Sequence, residues 1–182
     1  MSPLLVVVNG PIASGKSTLA QALGRELRER GRRAAVIDLD LLYDMLDHRP
    51  KSDEALWLLA RQASALLADR FWAAGIDAVV VEGSFSDAPK RAALLEGLTT
   101  EVKPRIVTLR VSFAEALRRA QGDPTRGLSR DPTFLAGAHA DFAARLDPAG
   151  TTDLVVDTEQ TTPERLAAEL ADSLLDRHGP DG

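Results

Sequence analysis

The sequence contains no cysteine, which excludes disulfides, thiolate metal sites and a thiol nucleophile. It has no excess of positive charge either: 22 basic residues face 27 acidic ones, for a formal charge of -5. A broad nucleic-acid or membrane surface needs clustered cations, so neither partner is expected, although a small basic pocket remains allowed. The opening MSPLLVVV lacks a basic start, and its apolar run is too short for a signal peptide or a spanning helix. A cytoplasmic protein is the expectation that follows. Lysine is scarce, limited to Lys16, Lys51, Lys90 and Lys103, and the surplus of arginine and alanine carries no functional message alone. There is no internal repeat and no low-complexity tract. His139 and His178 stand in no metal-binding pattern, and His48 reads as a turn residue.

What is present is a chain of 182 residues, 45% of them hydrophobic, enough to bury one core. Five short apolar runs read as strands: Leu4–Val8, Ala34–Ile37, Ala78–Val81, Ile106–Val111 and Leu154–Val156. They are rich in branched residues and do not alternate with polar ones, as in a parallel sheet covered on both faces. Helical patterns lie between them, at about Lys16–Arg30, Glu54–Ala74, Ala88–Gly97, Phe113–Ala120 and Pro163–Arg177, with a short helix near Phe134–Arg145. Alternation of this kind predicts right-handed crossovers and a layered α/β fold. Gly31 and Gly75 read as helix stops, and Thr162 before Pro163 as an N-cap. The stretch from Gln121 to about residue 133 is rich in Gly, Pro and Arg, lacks an apolar period, and reads as a mobile insertion.

One motif is specific. Gly10 to Ser17 reads G-P-I-A-S-G-K-S, which fits G-x-x-x-x-G-K-S/T between an apolar strand and an amphipathic helix. Gly10 and Gly15 let the backbone of Ala13 and Ser14 curl so that N–H groups point inward, and the helix offers its positive end to the same anion. Lys16 adds a mobile charge for the β- and γ-phosphates, Ser17 a hydroxyl for Mg²⁺, and Thr18 a contact for the α-phosphate. On these residues the chain resembles the P-loop nucleoside triphosphatases, and by length and layout the small P-loop kinases. The resemblance implies a three-layer fold with a five-stranded parallel sheet in the order 2-3-1-4-5. It also implies one kinase domain over residues 1–182, with a lid at about 121–133, and ATP with Mg²⁺ as cofactors.

Other branches fail by absence. The nearest guanine-reading candidate, PKSD at Pro50–Asp53, has proline where asparagine or threonine is required, and no transporter signature occurs. The D-x-D of Asp38 and Asp40 resembles shikimate, gluconate and adenylylsulfate kinases, and the run from Asp40 to Met45 resembles chloramphenicol phosphotransferase. By that likeness Asp40 is the base for the acceptor hydroxyl and Asp38 a positioning or metal-shell group. Either carboxylate could instead cap the next helix. Glu82 with Gly83 resembles the strand end of uridine and pantothenate kinases, where the acid serves Mg²⁺; many relatives carry aspartate there. Gly83 would let backbone approach the ligand, and Ser84, Ser86 and Asp87 could face the acceptor, with Asp87 also readable as a helix cap.

Arg118, Arg119, Arg126 and Arg130 form a cluster that could neutralise charge as phosphate moves, with Arg119 and Arg126 the preferred pair. The stretch DLVVDTEQTTPERL resembles the last strand and loop of these kinases, a likeness that implies Asp157 to Gln160 flank the adenine ring. The acceptor side is less constrained. Between Leu42 and Trp72 lie Tyr43, His48, Arg49, Lys51, Trp57, Arg61 and Phe71. Trp57 and Arg61, four apart, share a helix face and could hold a flat or anionic acceptor, while both tryptophans also suit a core. The leading reading is an ATP-dependent kinase for a small-molecule hydroxyl or phosphate (an antibiotic, sugar acid, nucleoside or nucleoside monophosphate); the alternative is a nucleotide switch or slow NTPase that acts through a protein partner. No dimer seam is evident.

Overall fold

A computed structural model describes residues 2–46, 53–146 and 152–176. His48, Arg49, Lys51, Arg177 and His178, and the PKSD motif apart from Asp53, lie outside the described residues. The five strands are β1 (Leu4–Asn9), β2 (Ala34–Asp38), β3 (Ala78–Gly83), β4 (Arg105–Arg110) and β5 (Leu154–Asp157). Seven α-helices are described: α1 (Lys16–Glu29), α2 (Leu39–Leu46), α3 (Glu54–Ala73), α4 (Ala88–Leu95), α5 (Phe113–Gly122), α6 (Pro132–Arg145) and α7 (Pro163–Asp176). All strand pairs are parallel and the order is β2-β3-β1-β4-β5.

The continuous apolar runs are explained by two-sided burial. Along β1, Leu4, Val6 and Val8 pack under α1 and α7, whereas Leu5 and Val7 face α3 and α4. Every residue of β1 is buried, so the usual polar alternation has no solvent face to serve. Each fully buried Val or Leu contributes about 1.5–3 kcal/mol. The two tryptophans, Trp57 and Trp72, pack against the α3 and α4 face as core anchors.

Strands run past their apolar stretches, and this places polar groups at the sheet's carboxyl edge. β1 carries Asn9, β2 carries Asp38, and β3 carries Glu82 and Gly83. Asp38 then accepts from the N–H groups of Asp40, at 2.8 Å, and Leu41, at 3.2 Å, and so caps α2. That eight-residue helix escapes a periodicity reading because it is short and opens directly from the strand. The 121–133 stretch is partly regular: α5 extends to Gly122, a 3-10 turn occupies Gly127–Arg130, and Asp131 caps α6 through the Phe134 N–H at 2.8 Å. Asp87 and Thr162 cap α4 and α7 as expected.

Since β1 lies at the sheet centre, the chain leaves it towards β2 and β3 and later crosses back to β4. The carboxyl end of β1 is therefore a topological switch point, where open α/β sheets leave a crevice.

Candidate nucleotide and acceptor site

The loop after β1 fills that crevice. Gly15 has φ +93°, a left-handed conformation, and precedes α1 with no side-chain cap. A Cβ on Gly10 would meet the Ser14 hydroxyl at 2.6 Å and Leu109 at 3.1 Å, so only glycine fits there. Among the described residues, the N–H groups of Ala13, Gly15, Lys16, Ser17 and Thr18 donate to no protein acceptor. Such a run of unspent amides at the start of a helix is an anion seat.

Carbonyls of the same loop are spent on its surroundings. Pro11 accepts from the Ser14 N–H at 3.3 Å and from the Lys16 ammonium at 3.0 Å. Ile12 accepts from His139 Nε2 on α6 at 2.9 Å. Ser14 accepts from Arg119 Nη1 at 3.3 Å and from the Thr158 hydroxyl at 3.0 Å.

Four charged groups from separate segments act on Lys16. Burial lowers its pKa below the usual lysine range, Glu82, Asp40 and Asp38 hold it up, and Arg126 lowers it further. Glu82, buried at the end of β3, lies beside Asp38 in the strand register. Burial raises its pKa to about 7, and the neighbouring Asp38 carboxylate adds to the rise. The Ser17 hydroxyl and the Lys16 ammonium pull the other way. Ser17, Glu82 and Asp38 thus form a set of hard oxygen donors beside the anion seat, which suits Mg²⁺ better than a softer metal.

The predicted residues divide by environment. Gly10, Ala13, Ser14, Gly15, Lys16, Ser17 and Thr18 form the loop and helix start, with Glu82, Asp38, Asp40 and Arg126 grouped around Lys16. Arg119 is committed to protein: it bonds Glu115 at 2.7 Å, the Ser14 carbonyl, and Thr158 through both hydroxyl and carbonyl. Arg118 is exposed and pairs with Glu115, and Arg126 pairs with Asp123 at 3.1 Å. A cleft of about 380 Å³ opens beside the loop, lined among others by Gly15, Thr18, Arg119, Arg126 and Thr158. Gly83 gives no room to a ligand, because its open side is filled by Leu39, which an added Cβ would meet at 2.8 Å.

Three contributors escape sequence reasoning. Asn9 is buried and accepts from the Phe85 N–H at 2.9 Å, which ties the β1 end to the β3–α4 loop. The polar residue closing an apolar run was the available signal. His139 and Thr158 act on loop carbonyls from 127 and 144 residues away, and no local pattern announces that. On the acceptor side, Arg61 is only 4% exposed. Its Nη2 donates to the Ser84 carbonyl at 3.3 Å, while its Nε has no partner. Trp57 and Phe85 flank the guanidinium at 5.8 and 6.0 Å.

Comparison with known proteins agrees with this fold. The chain resembles the solved structure of a sugar kinase from Janibacter sp. HTCC2649, with 22% identity, TM-score 0.65, and coverage of 96% of this chain and 95% of that one. A gluconokinase from Sinorhizobium meliloti 1021 gives 22% identity and TM-score 0.63, over 99% and 98% of the two chains. The APS kinase CysC of Mycobacterium tuberculosis, solved with AMPPNP and APS, gives 23% and 0.63, over 97% and 99%. The fold is that of the small-molecule P-loop kinases. No curated protein matches the sequence. A family model described as an AAA domain matches residues 5–149. With its phosphate loop at the switch point and that match across most of its length, the chain belongs to the AAA domain family of P-loop proteins.

Proposed function

We propose that the protein is an ATP-dependent phosphotransferase that moves the γ-phosphoryl group to a hydroxyl of a small anionic molecule. The observation that carries this reading is the convergence of Glu82, Asp40, Asp38 and Arg126 on Lys16. A nucleotide seat alone needs the loop and the lysine; the extra carboxylate on α2 suits an acceptor. Loop amides and Lys16 hold the phosphates, while the cleft beside Thr158 takes the base. Ser17 and Glu82 would hold Mg²⁺, which when bound neutralises charge on the phosphate oxygens.

Asp40 orients the acceptor hydroxyl and takes its proton as the new P–O bond forms and the bond from the γ-phosphorus to the β–γ bridging oxygen breaks, with ADP as the leaving group. Arg126 meets the charge that builds on the transferring group, and Arg119 keeps the loop in shape for that encounter. The segment around Arg126 serves as the lid that excludes water. Arg61 supports an anionic acceptor. Among the described residues no carboxylate pairs directly with this buried cation, Glu54 and Asp87 act on it only through space, and a ligand carboxylate or similar anion would add a direct partner.

An acceptor screen tests the reading. Protein, ATP and Mg²⁺ are incubated with matched sets of hydroxy acids and neutral polyols, and products are weighed by mass spectrometry. Gain of one phosphoryl group on a hydroxy acid is expected. ATP turnover with no acceptor phosphorylated, and unchanged in Asp40→Asn, would favour a nucleotide switch instead.

A further inference from the structure

The phosphate loop contains one residue in an unfavourable backbone state. Ala13 has φ +61°, and it is the only described residue other than glycine with positive φ. For a residue with a Cβ this costs about 1–2 kcal/mol and persists only where the surroundings impose it. The surroundings here are specific. The carbonyl one residue before Ala13 accepts from His139, and the carbonyl one residue after it accepts from Arg119 and Thr158. A trans peptide sets its C=O and N–H on opposite sides. Fixing the Ile12 carbonyl towards α6 therefore turns the Ala13 N–H away from α6, and fixing the Ser14 carbonyl towards Arg119 and Thr158 turns the Gly15 N–H away from those two residues. Both of those N–H groups are unspent.

We propose that His139 is a positioning residue for nucleotide binding: it holds the Ile12 carbonyl from α6 and so keeps the strained Ala13 peptide aimed at the phosphates. The contact also couples the loop to the lid side, since Leu135 on α6 packs with Ala13, Ala116 and Ala120 in one buried cluster. Phe113 supports the imidazole edge-on, with ring centroids 6.0 Å apart and planes at 82°. The bond needs a proton on Nε2, which the neutral Nε2–H tautomer and the imidazolium both supply. Removing the donor frees the peptide to leave the left-handed state, and affinity for the phosphates falls by the fraction of molecules that do so.

This inference rests on the nucleotide-binding reading, and calorimetry separates the two. Mg-ATP is titrated into the wild type, His139→Leu, His139→Gln and the double variant His139→Leu/Ala13→Gly. The wild type should bind. His139→Leu should weaken binding about tenfold with little change in thermal midpoint, and His139→Gln, which keeps an N–H donor, should stay within about twofold of wild type. The added glycine removes the Cβ penalty and should recover part of the loss. A wild type that binds with His139→Leu equally tight overturns the role of His139 and leaves the proposed function standing. A wild type that shows no heat overturns both. If His139→Leu fails to fold, the glutamine variant decides: affinity within about twofold of wild type supports the donor argument, and a loss of about tenfold or more overturns it.

Discussion

The two halves of the site are built on opposite plans. Around the phosphate loop the Pro11, Ile12, Ser14 and Gly15 carbonyls have donors and most amides are left over; backbone does the work, and side chains from α5, α6 and the loop after β5 only hold it. Across the sheet, beneath α2 and α3, side chains do the work. Carboxylates crowd the ends of β2 and β3, and a buried guanidinium has its Nε without a hydrogen-bond partner among the described residues. The first half suits a ligand common to many enzymes, whose phosphates need only N–H groups and a charge. The second suits one acceptor among many, because side-chain identity sets what charge and shape it accepts.

This contrast can be broken or sharpened. The largest effect belongs to the phosphate half: Lys16→Met should lower transfer about a thousandfold, read from initial rates, because a charge at the transferring group is lost. Asp40→Asn should lower transfer about a hundredfold while calorimetry shows Mg-ATP binding intact. Equal loss of both would erase the division into halves. Arg61→Met should raise the acceptor KM about tenfold or more and leave the KM for ATP alone, since a charged hydrogen bond is removed on one side only.

The smallest expected effect is on stability against pH. Glu82 has its pKa raised to about 7 by burial and by Asp38, against about 4.5 in an unfolded chain. Between those values the folded state holds more protons than the unfolded one, so stability falls as pH rises through the window. The thermal midpoint of the nucleotide-free wild type should drop by about 2–4 °C from about pH 5 to about pH 7.5 beyond any drop in Glu82→Gln. Parallel curves would show that the carboxyl does not hold its proton.

The strands and most helices were legible because two-sided burial leaves long apolar runs, and because caps such as Asp87 and Thr162 act within three residues. Strand ends were read short: Glu82 and Asp38 look like loop residues, yet the ladder continues through them because their carboxylates find the site rather than solvent. α2 was missed for a related reason, since its cap, Asp38, is also the last residue of a strand. Arg119 and Arg126 looked alike in sequence. The fold separates them, spending one on the Ser14 carbonyl and Thr158 and placing the other, paired with Asp123, close enough for its charge to act on Lys16.

The sequence by itself determined the layered architecture, the phosphate loop and the residues able to carry charge there, because these follow from local pattern and backbone geometry. Only the tertiary structure decided which distant donors hold the loop, that Arg61 is buried with no carboxylate ion-paired to it among the described residues, and that Gly83 makes room for Leu39 rather than a ligand. Those outcomes depend on contacts between segments separated by as many as 144 residues, and no spacing along the chain encodes which carbonyl a remote side chain will meet.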